Sequence, residues 1–195
     1  MRFLHIERAA RKVLVEPDAE FRALARIGRQ ARMRGYYTRS EFLRICKWKS
    51  GRHIGLCQLN TERQVQAATR RAFSASSEQA QMEALLTLKG VAVPRASALL
   101  AAADPKRFGV IDIRAWQFLH GAGAVSRNKA GRGLSINNWL DYLPVIRSVA
   151  SIVGTSPRLV ELALYKAHKK ASKGRPLYGG KGASLKCQSR IRGPL

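Results

Sequence analysis

The run Leu85–Leu100, LLTLKGVAVPRASALL, constrains this chain more than any other segment, because two apolar stretches at helical spacing are separated by only a few residues. Leu85, Leu88, Val91, Ala96, Leu99 and Leu100 recur so that two helices can bury their apolar faces against each other. Between them the backbone has to reverse over Leu88-Lys89-Gly90-Val91-Ala92, and Gly90 can take a positive φ there without steric cost. The second helix is expected to begin near Pro94 and to end at Asp104-Pro105. Its first backbone N–H groups have no intrahelical acceptor and carry the positive end of the helix dipole, which suits a phosphate. Lys89 and Arg95 flank that point with mobile positive charge, so Lys89, Gly90, Val91, Ala92 and Arg95 form a candidate phosphate-backbone site.

The charge balance points to the same kind of ligand. Thirty-six basic residues against 12 acidic ones give a formal net charge of +24, far more than solubility requires, and a polyanion is the natural partner. Residues 1–72 hold 17 basic and 6 acidic side chains, and residues 166–195 hold 9 basic and none acidic. The middle, 73–165, holds 10 against 6, so phosphate attraction is supplied mainly by the flanks of the hairpin unit. Nucleic acid is favoured over an anionic membrane surface, because the basic residues are not confined to one amphipathic helix.

Helical periodicity continues along the chain and no period-two pattern appears, so the expected class is all-α, a compact multi-helix domain over about 1–170. Phe21, Leu24 and Ile27 share one face of a helix. Thr38 and Glu41 have capping-box spacing, as do Ser76 and Gln79, and Asn60 or Thr61 can cap a helix between them. Lys49–Leu59 reads as a connecting loop. Further helices are expected over Ile113–His120, Leu134–Val153 and from Ser156-Pro157 onward, with 122–135 as a mobile loop able to touch a backbone phosphate. Residues 171–195, rich in Gly, Lys, Arg and Ser, read as a disordered basic tail.

Downstream of the hairpin unit, at about 76–103, lies VIDIRAW, with a single carboxylate at Asp112. From Ser76 to about Gly121 the chain resembles the helix-hairpin-helix superfamily of base-excision DNA glycosylases, whose members follow the hairpin with a loop and a functional aspartate. The resemblance implies that Gly90, Val91 and Ala92 form the hairpin and that Asp112 is the catalytic carboxylate. Ala92 stands where a second hairpin glycine is expected. Pro94 stands where bifunctional members carry a Schiff-base lysine, which implies base release without strand cleavage. Hydrolysis of an N-glycosidic bond builds oxocarbenium-like charge on the sugar, and a fixed carboxylate lowers that barrier. Asp112 just before a helix is also a preferred N-cap, and the two roles are compatible.

Trp116 follows Asp112 by one helical turn and reads either as core or as a wall for an extruded base. Tyr36 and Tyr37, at a helix junction, read as junction packing or as base-stacking residues. Arg44, Lys47, Lys49 and Arg52 read as phosphate contacts around a packed Trp48. Cys46, Cys57 and Cys187 lack CxxC spacing and are too few for a disulfide framework or a four-cysteine iron–sulfur loop. His5, His53, His120 and His168 are scattered, so no metal site and no cofactor are expected. No apolar stretch is long enough to span a membrane and no signal-peptide core is visible, so a cytoplasmic protein is expected, nucleoid-associated if bacterial; the expected state is a monomer. Two alternatives share these features: a non-catalytic hairpin module that holds DNA without sequence preference, and a basic RNA-associated protein.

Overall fold

The computed structural model describes residues 2–12 and 19–172; the basic tail expected over 171–195 lies almost wholly outside the described residues. Ten α-helices make up the described chain, without strands: α1 (Arg2–Lys12), α2 (Ala19–Arg34), α3 (Arg39–Lys49), α4 (Ile54–Gln58), α5 (Glu62–Ser74), α6 (Glu78–Leu86), α7 (Val93–Ala103), α8 (Ile113–Gly121), α9 (Ile136–Val153) and α10 (Pro157–Ala171). No helix among the described residues is long and apolar enough to cross a membrane. The class is all-α, as the periodicity requires, and the arrangement is compatible with a helix-hairpin-helix fold.

Local signals account for most of the boundaries. Thr38 accepts from the Glu41 amide and Glu41 from the Thr38 amide, closing the capping box of α3. Thr61 does the same with Gln64 at the head of α5, which leaves Asn60 outside the helix and available for other work. The first helix of the hairpin unit is capped by Ser77, which accepts from Ala80 N–H; the expected cap one residue earlier, at Ser76, does not form. Lys49–Leu59 is not all loop, since Ile54–Gln58 winds into the short α4 behind His53, whose φ of 54° is left-handed. Ser135 and Ser156 cap α9 and α10, and Gly154 closes α9 at φ +69°.

Helix α7 is the axis of the fold. All of its residues from Ala96 to Ala103 are buried, and α2, α3 and α6 pack around it. Its run of alanines lets neighbouring backbones come close. At Gly28 of α2 the approach is so tight that a Cβ would lie 2.0 Å from the Ala102 carbonyl oxygen, so the crossing requires glycine. On the other side, α8 and α9 pack against α10, and α1 closes over α9 and α10. The segment 108–111 threads between these halves without helical structure. A Cβ on Gly109 would meet Ile146 Cδ1 at 2.7 Å and the Pro157 carbonyl at 2.9 Å.

The 122–135 segment is fastened to the body. Asn128, at φ 51°, accepts from the Trp116 indole N–H at 2.8 Å through its carbonyl and donates to the Arg132 carbonyl at 2.8 Å. Gly131 packs on Trp116, where an added Cβ would lie 3.0 Å from Cδ1. The segment read as a mobile loop thus carries a defined set of tertiary hydrogen bonds.

Candidate nucleic-acid interface

The turn between α6 and α7 is built by three elements. Gly90 takes φ +74°, as the reversal demands, and Val91 N–H closes it on the Leu88 carbonyl at 3.1 Å. Gly90 also lies on α4, where a Cβ would meet Cys57 N at 2.8 Å and Leu56 Cβ at 2.9 Å. Asn60 grips the turn from the side: its Oδ1 accepts from Lys89 N–H and its Nδ2 donates to the Lys89 carbonyl, both at 2.9 Å. The side chain donates as well to Cys57 O at 2.9 Å, tying α4 to the turn.

This bracing leaves one set of backbone donors without a partner. Ala92, the N-cap of α7, is exposed and provides no side-chain cap. The backbone N–H groups of Gly90, Ala92 and Val93 have no acceptor among the described residues. Lys89 is exposed beside them, whereas Val91 is turned into the core. Arg95 differs from its expected role as a mobile cation. Its guanidinium donates to Gly90 O at 2.7 Å, to Ser50 O at 3.1 Å and to the Arg52 carbonyl, so it acts as a brace between the turn and the 50–52 segment.

A cleft of about 580 Å³ opens next to the turn. One wall is the head of α7, with Ala92, Pro94 and Arg95; the opposite wall is Asp112, Ile113 and Gly131–Leu134. Lys49, Ser50, Arg52 and His53 form the third side. The structure therefore brings Asp112 to one cavity with Ala92, Pro94 and Arg95 at the head of α7, although 20 positions of chain separate Asp112 from Ala92; Lys89, Gly90 and Val91 do not line it. Asp112 caps α8, with Oδ1 accepting from Ala115 N–H at 2.9 Å. Its second oxygen, Oδ2, lies 3.9 Å from Lys49 Nζ. Lys49, grouped on sequence with the phosphate contacts, is a half-buried cleft residue at the last position of α3.

A buried polar layer backs this wall. Glu161 and Arg158 of α10 pair with each other inside the protein, and Arg158 also covers the Phe21 ring at 4.3 Å and Trp48 at 5.5 Å. Burial pushes the Glu161 carboxyl up to about 7, outweighing Arg158; the charge of Asp112 adds to the rise, while Lys49 opposes it. Tyr142, fully buried, donates to Val110 O at 3.2 Å and is driven upward by burial and then by Glu161. His168 is shifted down, first by burial and then by Arg114. None of these groups is marked by a motif, and no local signal in the sequence could have assembled them.

The aromatic pocket expected on sequence does not form at the cleft. Trp116 is fully buried with its indole N–H committed to Asn128, and Tyr37 is fully buried with its hydroxyl donating to Leu99 O at 2.8 Å. Tyr36 lies away from the cleft lining, under the guanidinium groups of Arg70 at 4.4 Å and Arg34 at 5.0 Å. Trp116 and Tyr37 are packing residues, because both rings are buried, whereas Tyr36 stays partly exposed between the two guanidinium groups. Among the described residues no group of three or more His, Cys, Asp or Glu side chains is placed to hold a metal ion. Comparison with known proteins found no matching family model, no matching curated protein and no matching solved structure.

Proposed function

We propose that this chain binds duplex DNA through its phosphate backbone at the 88–93 turn and hydrolyses the N-glycosidic bond of an extruded base with Asp112, in the manner of a monofunctional DNA glycosylase. The observation that carries this reading is the shared cleft: Asp112 and the uncapped head of α7 face one cavity of about 580 Å³. A helix N-terminus with free amides attracts a phosphate, and the cavity is of ligand-binding size. The base has to leave the stack because its glycosidic bond is inaccessible within the duplex. A carboxylate held by the α8 amide and by Lys49 has a fixed position, and fixed charge is what stabilises an oxocarbenium-like sugar.

The nearness of Lys49 to Asp112 favours one second reading, in which the Lys49 amine attacks the sugar carbon and displaces the base, and strand cleavage follows. Pro94 occupies the lysine position of the bifunctional pattern, but Lys49 brings an amine to the same cleft from α3. A base-release screen over a panel of damaged and mismatched duplexes separates the readings when run with wild type, Asp112→Asn and Lys49→Ala. Hydrolysis predicts base release with intact strands and no borohydride-trapped adduct. Amine attack predicts a trapped adduct that Lys49→Ala abolishes. Salt-sensitive binding without release from any duplex would leave a backbone-binding module.

A further inference from the structure

The peptide unit between Val110 and Ile111, immediately ahead of Asp112, is held at both ends by side-chain hydroxyls. Tyr142 of α9 donates to the Val110 carbonyl at 3.2 Å, and Ser97 of α7 accepts from the Ile111 N–H at 3.1 Å. Val110, Ile111, Ser97 and Tyr142 are all buried, so the two hydroxyls do for this unit what water does for an exposed one. A trans peptide points its C=O and N–H in opposite directions, and gripping both fixes its plane. The upstream neighbour Gly109 is equally confined, with no room for a Cβ between Ile146 and the Pro157 carbonyl.

Ser97 also reaches the other side of the cleft. A serine inside a helix often turns its hydroxyl back on its own helix, and Ser97 does so, donating to the Pro94 carbonyl at 3.0 Å. The second bond, from Ile111, leaves the helix and is not explained by that habit. A hydroxyl has one proton to donate and lone pairs to accept with, and Ser97 uses both capacities. Pro94 lines the cleft on the α7 side and Asp112 lines it opposite. The Ser97 oxygen therefore ties the two walls together from behind, through Pro94 on one side and through Ile111, the residue before Asp112, on the other. Downstream, Asp112 is anchored by its own cap bond to the Ala115 N–H. The carboxylate is thus carried between a clamped peptide and a helix head.

We propose that Ser97 and Tyr142 are positioning residues for Asp112, which set the gap between its carboxylate and the head of α7. Neither side chain lines the cleft, so both act through the backbone. A fixed carboxylate stabilises developing charge only at the right distance, and a misplacement of about 1 Å can cost about 100-fold in rate. Removing either hydroxyl leaves one end of the peptide unit buried and unpaired, and the unit has to rotate to find another partner. The effect on base release rests on the glycosidic reading above; the clamp itself does not.

The test uses the full chain and a duplex of the damaged and mismatched panel from which the wild type releases a base. Release is measured in single turnover with the duplex saturated by protein, and duplex Kd is measured separately. Ser97→Ala and Tyr142→Phe should each slow the saturated rate by about tenfold or more while Kd stays within about twofold. Tyr37→Phe is the control: it deletes another buried hydroxyl bonded to α7, at Leu99 O, outside the cleft, and should match the wild type. Tyr142→Phe keeps its ring and carries the test if Ser97→Ala does not fold. A saturated rate within about twofold of wild type in either folded variant overturns the proposal. So does an equal loss in Tyr37→Phe, which marks a general loss of stability. If the wild type releases no base from any duplex, the glycosidic reading fails instead, and the clamp is read at the Ala115 amide, which Asp112 Oδ1 protects. Hydrogen exchange there should be faster in both variants than in Tyr37→Phe, and unchanged exchange overturns the clamp.

Discussion

Asn60 holds Lys89 by both of its backbone polar groups, accepting from the N–H and donating to the carbonyl at 2.9 Å each. The amide side chain thus acts as a short piece of backbone, pairing with the turn as a strand would. Replacing Asn60 with Ala removes both bonds, together with the bond to Cys57 O, and leaves buried groups unpaired. A loss of roughly 2–4 kcal/mol of stability is expected by denaturant unfolding, with weaker duplex binding in the fraction that stays folded. Asn60→Asp should keep the bond from Lys89 N–H and lose the donated ones, giving an intermediate loss.

The backbone crossing of Gly28 over Ala102 predicts a sharp steric limit. Gly28→Ala places a methyl 2.0 Å from a carbonyl oxygen, so α2 and α7 have to separate. The expected cost is about 3 kcal/mol or more, read as a fall in Tm, although alanine is the better helix former by about 1 kcal/mol. An unchanged Tm would mean that the crossing is looser than described.

Asp112 carries a structural and a proposed chemical role, and two substitutions divide them. Asparagine caps a helix as well as aspartate does, so Asp112→Asn should leave Tm nearly unchanged and duplex binding intact while base release is lost. Asp112→Ala should lose release and also about 1 kcal/mol of stability. Undiminished release by the Asn variant would remove Asp112 from the chemistry.

Glu161 predicts a specific pH dependence. Its carboxyl is raised from an ordinary 4.5 to about 7 in the folded chain, so between those values the folded state binds more protons than the unfolded one. Its contribution is fully present below pH about 4.5 and is lost as pH rises through about 7, a change of roughly 3 kcal/mol. Glu161→Gln should remove that slope, seen as the difference between the two Tm-versus-pH curves from pH 4 to 8. Parallel curves would show that Arg158 holds the carboxylate charged.

Tyr37 tests the placement of the aromatics. Tyr37→Phe deletes the bond to Leu99 O and should cost about 1 kcal/mol, with duplex binding and base release unchanged in the folded protein. A selective loss of release would place Tyr37 in contact with the base.

Helix positions were readable because their causes are local. Thr38 with Glu41, and Ser156 before Pro157, are cap signals that act within four residues, and each caps the helix that it announces, whereas α9, expected from Leu134, starts at Ile136 behind a Ser135 cap. The one-residue error at Ser76 arose because Ser77 offers the same hydroxyl to the next turn. Helix α4 was missed since it is a single turn whose glycine-containing sequence has weak propensity. The base-pocket reading of Trp116 and Tyr37 rests on proximity along the chain, and proximity does not say whether a ring faces a cavity or the core; both face the core.

The amino-acid sequence by itself determined an all-helical chain, a glycine-dependent reversal at Gly90, an aspartate at a helix head and an excess of positive charge. Short-range backbone geometry and composition are enough to establish those. Only the tertiary structure decided that Lys49 stands 3.9 Å from Asp112, that Arg95 is a brace, and that Asn60 and Cys57 carry the turn. These relations depend on how α3, α4 and α7 pack, and packing is set by the fit of whole surfaces, which no spacing along the chain records.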